Sequence, residues 1–280
     1  GSSRWPGPAP AGRWPPPAPP RAAAAAMADE QDMKRRKVEE DAADEAPKEP
    51  EGNAEDDRRA KITEAVHFPL RDCTLNVVPM HGGRVLAPLT DGGLQYLIAG
   101  ARASVGAKKG RYCFEAKVVE FMSPSEPAGG HPRSVPMPRQ LLKVGFATQD
   151  APLLLSESTD SVSFDSEGVF AAGGERKALG QRVNRDMAVA IVLNLDPKSA
   201  SKNTVSVFRD GVRCGPPQPL PEKLVGKPLF PVVNFKNVTL QVHFGPAPMV
   251  PLPFACRGFQ DMAKEDSVAS PAKAQTPSDG

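Results

Sequence analysis

Cysteine is scarce in this 280-residue chain, with four residues (Cys73, Cys113, Cys214, Cys256) scattered and no Cys-x-x-Cys pair. The four histidines (His67, His81, His131, His243) are equally dispersed, so no zinc-ligand spacing exists and no metal is expected. Unpaired thiols fit a reduced intracellular compartment. No apolar run approaches the length of a membrane span, and the alanines from Ala22 to Ala26 are too few for a signal-peptide core; no membrane partner is expected. Tryptophan is confined to Trp5 and Trp14 and tyrosine to Tyr96 and Tyr112, which argues against an aromatic platform for stacking single-stranded RNA. No nucleophile pattern and no Gly-x-x-x-x-Gly-Lys-Ser/Thr loop is present. The chain therefore reads as non-enzymatic, with no catalytic residue, no cofactor and no small-molecule substrate. Helix-period segments long enough to cover a parallel sheet are missing too.

What is present is unevenly distributed. Residues 1–26 hold eight prolines and eight alanines and nothing that alternates, so they cannot bury a core. They read as upstream sequence translated in frame, as a fragment artefact, or as a disordered proline-rich arm. Residues 27–61 form a charged tail; 13 acidic and 8 basic side chains fall within residues 29–61. Inside it Lys34, Arg35, Arg36 and Lys37 make a compact basic cluster, the pattern of a nuclear localisation signal. The segment from 253 to 280 becomes rich in Ser, Pro, Ala and Lys and is expected to be mostly disordered. The sequence thus divides into a disordered 1–61, a folded 62–252 and a tail from 253 onward. Net charge is only +2, too weak to predict nucleic-acid binding by itself.

The folded part reads as strands throughout. Leu75 and Val77 share a face in a first strand over residues 73–78. Tyr112, Phe114, Ala116 and Val118 alternate with Glu115 and Lys117, as in a half-buried strand. Residues 187–195 are apolar on both faces, fitting the middle of a sheet. Asp210-Gly211 marks a tight hairpin, because glycine accepts the positive φ that primed turns need. Residues 230–235 and 238–244 read as a final hairpin through Lys236-Asn237, with Val238, Leu240, Val242 and Phe244 inward. A long Pro/Ser/Gly-rich loop spans residues 121–139. The expected fold class is all-β, an antiparallel β-sandwich.

Several blocks occur in an order that resembles the SPRY domain, the core of B30.2-like modules with a concanavalin-like jelly-roll sandwich. They are Ala103-Ser-Val-Gly with Gly110-Arg-Tyr-Cys-Phe-Glu-Ala-Lys-Val, then Lys143-Val-Gly-Phe, Val205-Ser-Val-Phe-Arg-Asp-Gly, Lys227-Pro-Leu-Phe-Pro-Val-Val and Val242-His-Phe-Gly245. The stretches from Ala99 and from Leu224 resemble most the SPRY domain of heterogeneous nuclear ribonucleoprotein U and its relatives. That resemblance implies a nuclear RNA-processing context. The phosphate loop and Arg-Gly-Gly repeats of those relatives have no counterpart in this sequence. The resemblance further implies an adaptor that binds peptide segments of partner proteins through loops near 100–110, 121–140, 150–170 and 196–203. Its candidate contact residues are Arg102, Ser104, Lys143, Phe164 and Asp165. For Arg102 the alternative is a guanidinium holding loop carbonyls. Rival functions are a ribonucleoprotein component touching RNA directly and a subunit of a chromatin or histone-methyltransferase complex. Ser123, Ser270 and Thr276 precede prolines and are candidate phosphorylation sites.

Overall fold

The computed structural model describes residues 49–123, 139–155, 159–180 and 182–271. Among them there is no α-helix, only strands and single 3-10 turns. The larger sheet runs β1 (Val77–Met80), β2 (Val85–Pro88), β15 (Val238–His243), β5 (Gly110–Phe121), β10 (Ala188–Leu195), β11 (Thr204–Arg209) and β12 (Val212–Arg213). Two short strands attach to it, β13 (Gln218–Pro219) on β11 and β16 (Arg257–Gly258) on β5. The second sheet runs β3 (Ala99–Arg102), β14 (Phe230–Lys236), β6 (Leu141–Ala147), β7 (Ser161–Asp165), β8 (Val169–Ala172) and β9 (Glu175–Ala178). A third ladder pairs β4 (Val105–Ala107) with β17 (Ser267–Ala269). All pairings are antiparallel except that of β16 with β5. The fold is an all-β antiparallel sandwich, as the alternation in the sequence requires.

The core lies between the two sheets. From the larger sheet it takes Tyr112, Phe114, Ala116 and Val118 of β5 and Val238, Leu240 and Val242 of β15, with Phe244 beyond it. From the second it takes Val144 and Phe146 of β6, Phe164 of β7, and Val233 and Phe235 of β14. These are the inward sets that period-2 alternation assigns. Phe114 meets Phe146 edge-on across the sandwich at 5.4 Å between ring centroids, an arrangement that aromatic quadrupoles favour. The apolar strand at 187–195 is β10, and it does sit between β5 and β11. Asp210 (φ 47°) and Gly211 (φ 80°) close the β11–β12 hairpin in the expected left-handed conformation.

Four expectations need correction. β14 and β15 are not a hairpin: they lie in different sheets, and Asn237 at φ 54° turns the chain from one layer to the other. Leu75 is fully exposed, and the first strand starts only at Val77. The outer face of β5 is not solvated, because residues 249–256 cross it. Glu115 is buried there and accepts hydrogen bonds from the backbone N–H groups of Met249 (2.6 Å) and Val250 (3.4 Å). Burial pushes its carboxyl pKa up, and those two donors oppose the shift. Finally, the fold exceeds 62–252 at both ends. Phe254, Phe259, Met262 and Ala263 are buried, and Phe259 stacks on Phe146 at 5.9 Å. At the other end Glu51 is buried, and Ile62 N–H donates to the Met262 carbonyl at 3.0 Å. Local composition does not register either end, because the partners stand from 60 to 200 residues away in sequence. Residues 1–48 and 272–280, with most of the 121–139 loop, lie outside the described residues.

Candidate partner-binding groove

The register of the six-stranded sheet decides which candidate residues share a surface. Arg102 pairs with Val232 and that with Gly145, while Asn234 pairs with both Gly100 and Lys143, and Lys143 pairs with Asp165. Residues opposite each other or two apart on a strand share a face. Arg102, Lys143 and Asp165 therefore stand on the outer face. Phe164 is one residue out of phase and points into the core, 1% exposed. Its alternation with Ser161 and Ser163 carries that signal. Phe164 is thus a core residue and not a partner contact.

Arg102 is 5% exposed, and its Nη1 donates to the carbonyl of Thr148 at 2.8 Å and to that of Gln149. Burial lowers its guanidinium pKa, and the nearby Asp72 and Asp150 carboxylates oppose that. Its side chain holds the loop 148–150 in place, the loop-holding alternative. Ser104 ties two other segments to the same end: its hydroxyl accepts from His67 N–H (3.2 Å), and its carbonyl accepts from Ser270 N–H (2.8 Å). Asp165 accepts from the N–H groups of Glu167 (3.1 Å) and Val169 (2.9 Å), closing the β7–β8 turn. It is a turn-forming residue. Lys143 remains half-buried on the outer face.

Asn234, which the sequence reading missed, secures the rest of the loop. Its Oδ1 accepts from Leu155 N–H at 2.5 Å, and its Nδ2 donates to the Leu153 carbonyl at 2.7 Å. Nothing in a Val-Val-Asn-Phe strand announces this beyond one polar residue in an apolar run. Asn234→Ala would leave the buried Leu155 N–H unpaired, at about 1–3 kcal/mol, and release the half-buried Leu153 carbonyl. We expect a fall in Tm of roughly 5–10 °C and faster hydrogen exchange at residues 153–155, read by mass spectrometry.

The held loop forms one wall of an open groove of about 340 Å³. Phe230, Pro228, Val268 and Ala269 supply its apolar lining, and Gln149, Asp150 and Lys227 its polar rim. Phe230 lies flat on Gly106 of β4; a Cβ there would come within 2.8 Å of the ring. The edge of β17 forms the far wall, and Ser270 anchors it. The Ser270 hydroxyl donates to Asp72 Oδ2 (2.7 Å) and accepts from Gln149 Nε2 (3.2 Å). A few fixed polar groups around an apolar floor are what orient a short bound segment. Among the described residues no group of three or more His, Cys, Asp or Glu side chains could hold a metal. No helix there is long and apolar enough to cross a membrane.

No protein-family model matches the chain. Among curated proteins it is 27% identical over 166 residues to the mouse heterogeneous nuclear ribonucleoprotein U-like protein 2, covering 59% of this chain and 20% of that protein. It is 25% identical over 179 residues to the Drosophila melanogaster ATP-dependent RNA helicase Ddx1, covering 62% of this chain and 22% of the helicase. The chain thus spans about a fifth of the length of these relatives. Among solved structures it matches the SPRY domain of human HERC1, with 16% identity, a TM-score of 0.44, and coverage of 63% of this chain and 96% of that one. It also matches the TRIM65 PSpry domain, with 13% identity, a TM-score of 0.43, and coverage of 63% and 89%. The likeness to SPRY domains and to the U-type ribonucleoproteins, read from the sequence blocks, recurs in these matches.

Proposed function

We propose that this chain is a non-enzymatic nuclear adaptor whose sandwich holds a short peptide segment of a partner protein within RNA-processing ribonucleoprotein complexes. The observation that carries this reading is the groove between the loop 148–150, the turn before Phe230 and the β17 edge. Its walls are fixed by Arg102 and Ser270, so binding a peptide costs little rearrangement of the receptor. The ribonucleoprotein context rests on the names of the curated relatives and on the Lys34–Lys37 cluster, which would direct nuclear import. Ser123 is exposed and open to a proline-directed kinase, whereas Ser270 is engaged at both lone pair and proton, so its modification requires release of β17.

Affinity purification of the full chain from nuclear extract, with and without nuclease, tests the proposal against a D150N/K227E double variant. Both positions are exposed, and neither change adds a cation beside the buried Arg102. Partners that survive nuclease and are lost in the variant are expected. Loss of every partner on nuclease treatment would instead favour a component that touches RNA directly. Retention by the variant would remove the groove from the proposal. Co-purification of histone-methyltransferase subunits would assign the chain to a chromatin complex.

A further inference from the structure

Three arginines lie on aromatic rings at the larger sheet, Arg213 and Arg111 on its outer face and Arg257 on Tyr112, whose ring belongs to the core. The Arg213 guanidinium sits 4.5 Å from the Phe208 centroid, Arg111 lies 5.0 Å from Phe254, and Arg257 lies 5.9 Å from Tyr112. Phe208, Phe254 and Tyr112 are buried, so each ring is fixed by core packing. A guanidinium over an aromatic face is held in position by the ring quadrupole and the stacked contact. The three cations therefore line a cradle, each held in part by a buried ring.

Residues 49–57 fill it. Glu49 Oε2 accepts from Arg213 Nε at 3.0 Å, and its Oε1 pairs with Arg213 Nη2. Glu51 has a fully buried side chain; it accepts from the Ser206 hydroxyl at 2.6 Å and pairs with Arg111 (3.5 Å) and Arg213 (3.4 Å). Asp57 pairs with Arg257 and, just beyond the segment, with Arg59. Hydrogen bonds from Arg59 first, and from Arg257, hold its carboxyl well below the usual carboxylate range. Backbone groups complete the contact: Arg111 Nη2 donates to the Gly52 carbonyl (2.6 Å), and Ala54 N–H donates to the Ala255 carbonyl (2.8 Å).

This segment, Glu-Pro-Glu-Gly-Asn-Ala-Glu-Asp-Asp, contains no large apolar side chain. Its attachment is carboxylates, backbone and the Asn53 amide, whose Oδ1 accepts from Ala255 N–H at 2.8 Å, and it is rooted only from Arg59 onward, where Arg59 grips the buried Asp266 (3.0 and 2.8 Å). Within the cradle Arg213 Nη1 and Arg257 Nε, both buried, have no hydrogen-bond partner among the described residues. The receptor is thus rigid and incompletely satisfied, while its occupant lacks the apolar anchor that makes a strap permanent.

We infer that Arg111, Arg213, Arg257 and Ser206 form a receptor for an extended acidic peptide with a Glu-x-Glu pair, and that residues 49–57 occupy it in cis as a displaceable stand-in. The natural competitor is an acid-rich segment of a partner protein. Ser206 aims one short hydrogen bond at a carboxylate between two guanidinium planes, and the Ala54–Ala255 backbone bond requires a polypeptide main chain; both favour peptide over nucleic acid. The tether keeps the stand-in at an effective concentration on the order of millimolar, so a competitor must be tight or must be anchored at a second site.

The test uses the full chain and a fluorescein-labelled peptide with the sequence of residues 49–57, followed by anisotropy. Neutralising the stand-in by E49Q/E51Q/D57N is expected to strengthen binding of the peptide by about ten-fold or more over wild type. Salt should weaken that binding, and adding Arg213→Ala should abolish it. A folded triple variant that binds no better than wild type overturns the inference. So does binding that survives Arg213→Ala, or displacement of the labelled peptide by an RNA oligonucleotide but not by unlabelled peptide. Should the triple variant not fold, the wild type serves. Excess unlabelled peptide is expected to raise hydrogen exchange at Ala54 while leaving residues 188–195 unchanged. No change at Ala54 overturns the inference.

Discussion

A chain cut to residues 62–252, the boundaries that composition suggests, is expected not to fold, while residues 49–271 fold cooperatively. The cut removes Phe254, Phe259, Met262 and Ala263, all buried. Phe259 lies among the central aromatics, at 5.9 Å from Phe146, 6.1 Å from Tyr112 and 6.4 Å from Phe114. Truncating one such ring costs about 3–5 kcal/mol, and removing two rings and a methionine together reaches the 5–15 kcal/mol that is a domain's whole stability. The cut also strips Asp266 from the Tyr112 hydroxyl, which donates to its carboxylate at 2.7 Å. Loss of near-UV circular dichroism and of a cooperative melt in the 62–252 fragment is the expected reading; a sharp transition in it would refute the account. The single change Phe259→Ala in the full chain should lower Tm by roughly 10 °C or more.

The same segment shows where sequence reading stops. β5, β10 and β15 were legible because alternation or a doubly apolar run is a local property of consecutive residues. Phe259 docks from a 3-10 turn, Gly-Phe-Gln-Asp-Met, as an isolated aromatic with no period to detect. The acidic strap reads as a solvated tail for a related reason. Its charges are neutralised by Arg111, Arg213 and Arg257, which stand from 60 to 200 residues further on. Local composition records charge but not the distant cations that compensate it. The Lys236-Asn237 turn misled differently. Two apolar strands joined by two polar residues look like a hairpin, yet one left-handed Asn places them in opposite layers. At the groove, Arg102 was visible as a residue, but its action through Thr148 and Gln149 depends on a loop about 46 residues away.

Gly145→Ala should be severely destabilising, although it adds a single methyl to a strand residue without positive φ. Gly145 sits in β6 opposite Ser163 of β7, and a Cβ there would lie 1.9 Å from the Val162 carbonyl oxygen and 2.8 Å from the Ser163 Cα. Both obstacles are backbone, so no rotamer change relieves them; β6 and β7 must separate. Overpacking of a well-packed site typically costs about 1–3 kcal/mol, and more where main chain must move. We expect a loss at or above the upper end of that range, with Tm lowered by roughly 10 °C. Gly100→Ala is the instructive contrast. Its Cβ would meet the Asn234 amide at 2.8 Å and the Leu153 carbonyl at 2.9 Å, which are the two ends of the loop clamp. It therefore strains the clamp rather than a strand pair, and it should loosen residues 153–155 at a smaller cost in stability. Thermal melts of the two variants, with exchange at residues 153–155, separate the effects. Equal losses of stability in both would mean that the clamp is as integral to the sandwich as the β6–β7 pairing, and that the groove cannot be altered without unfolding the domain.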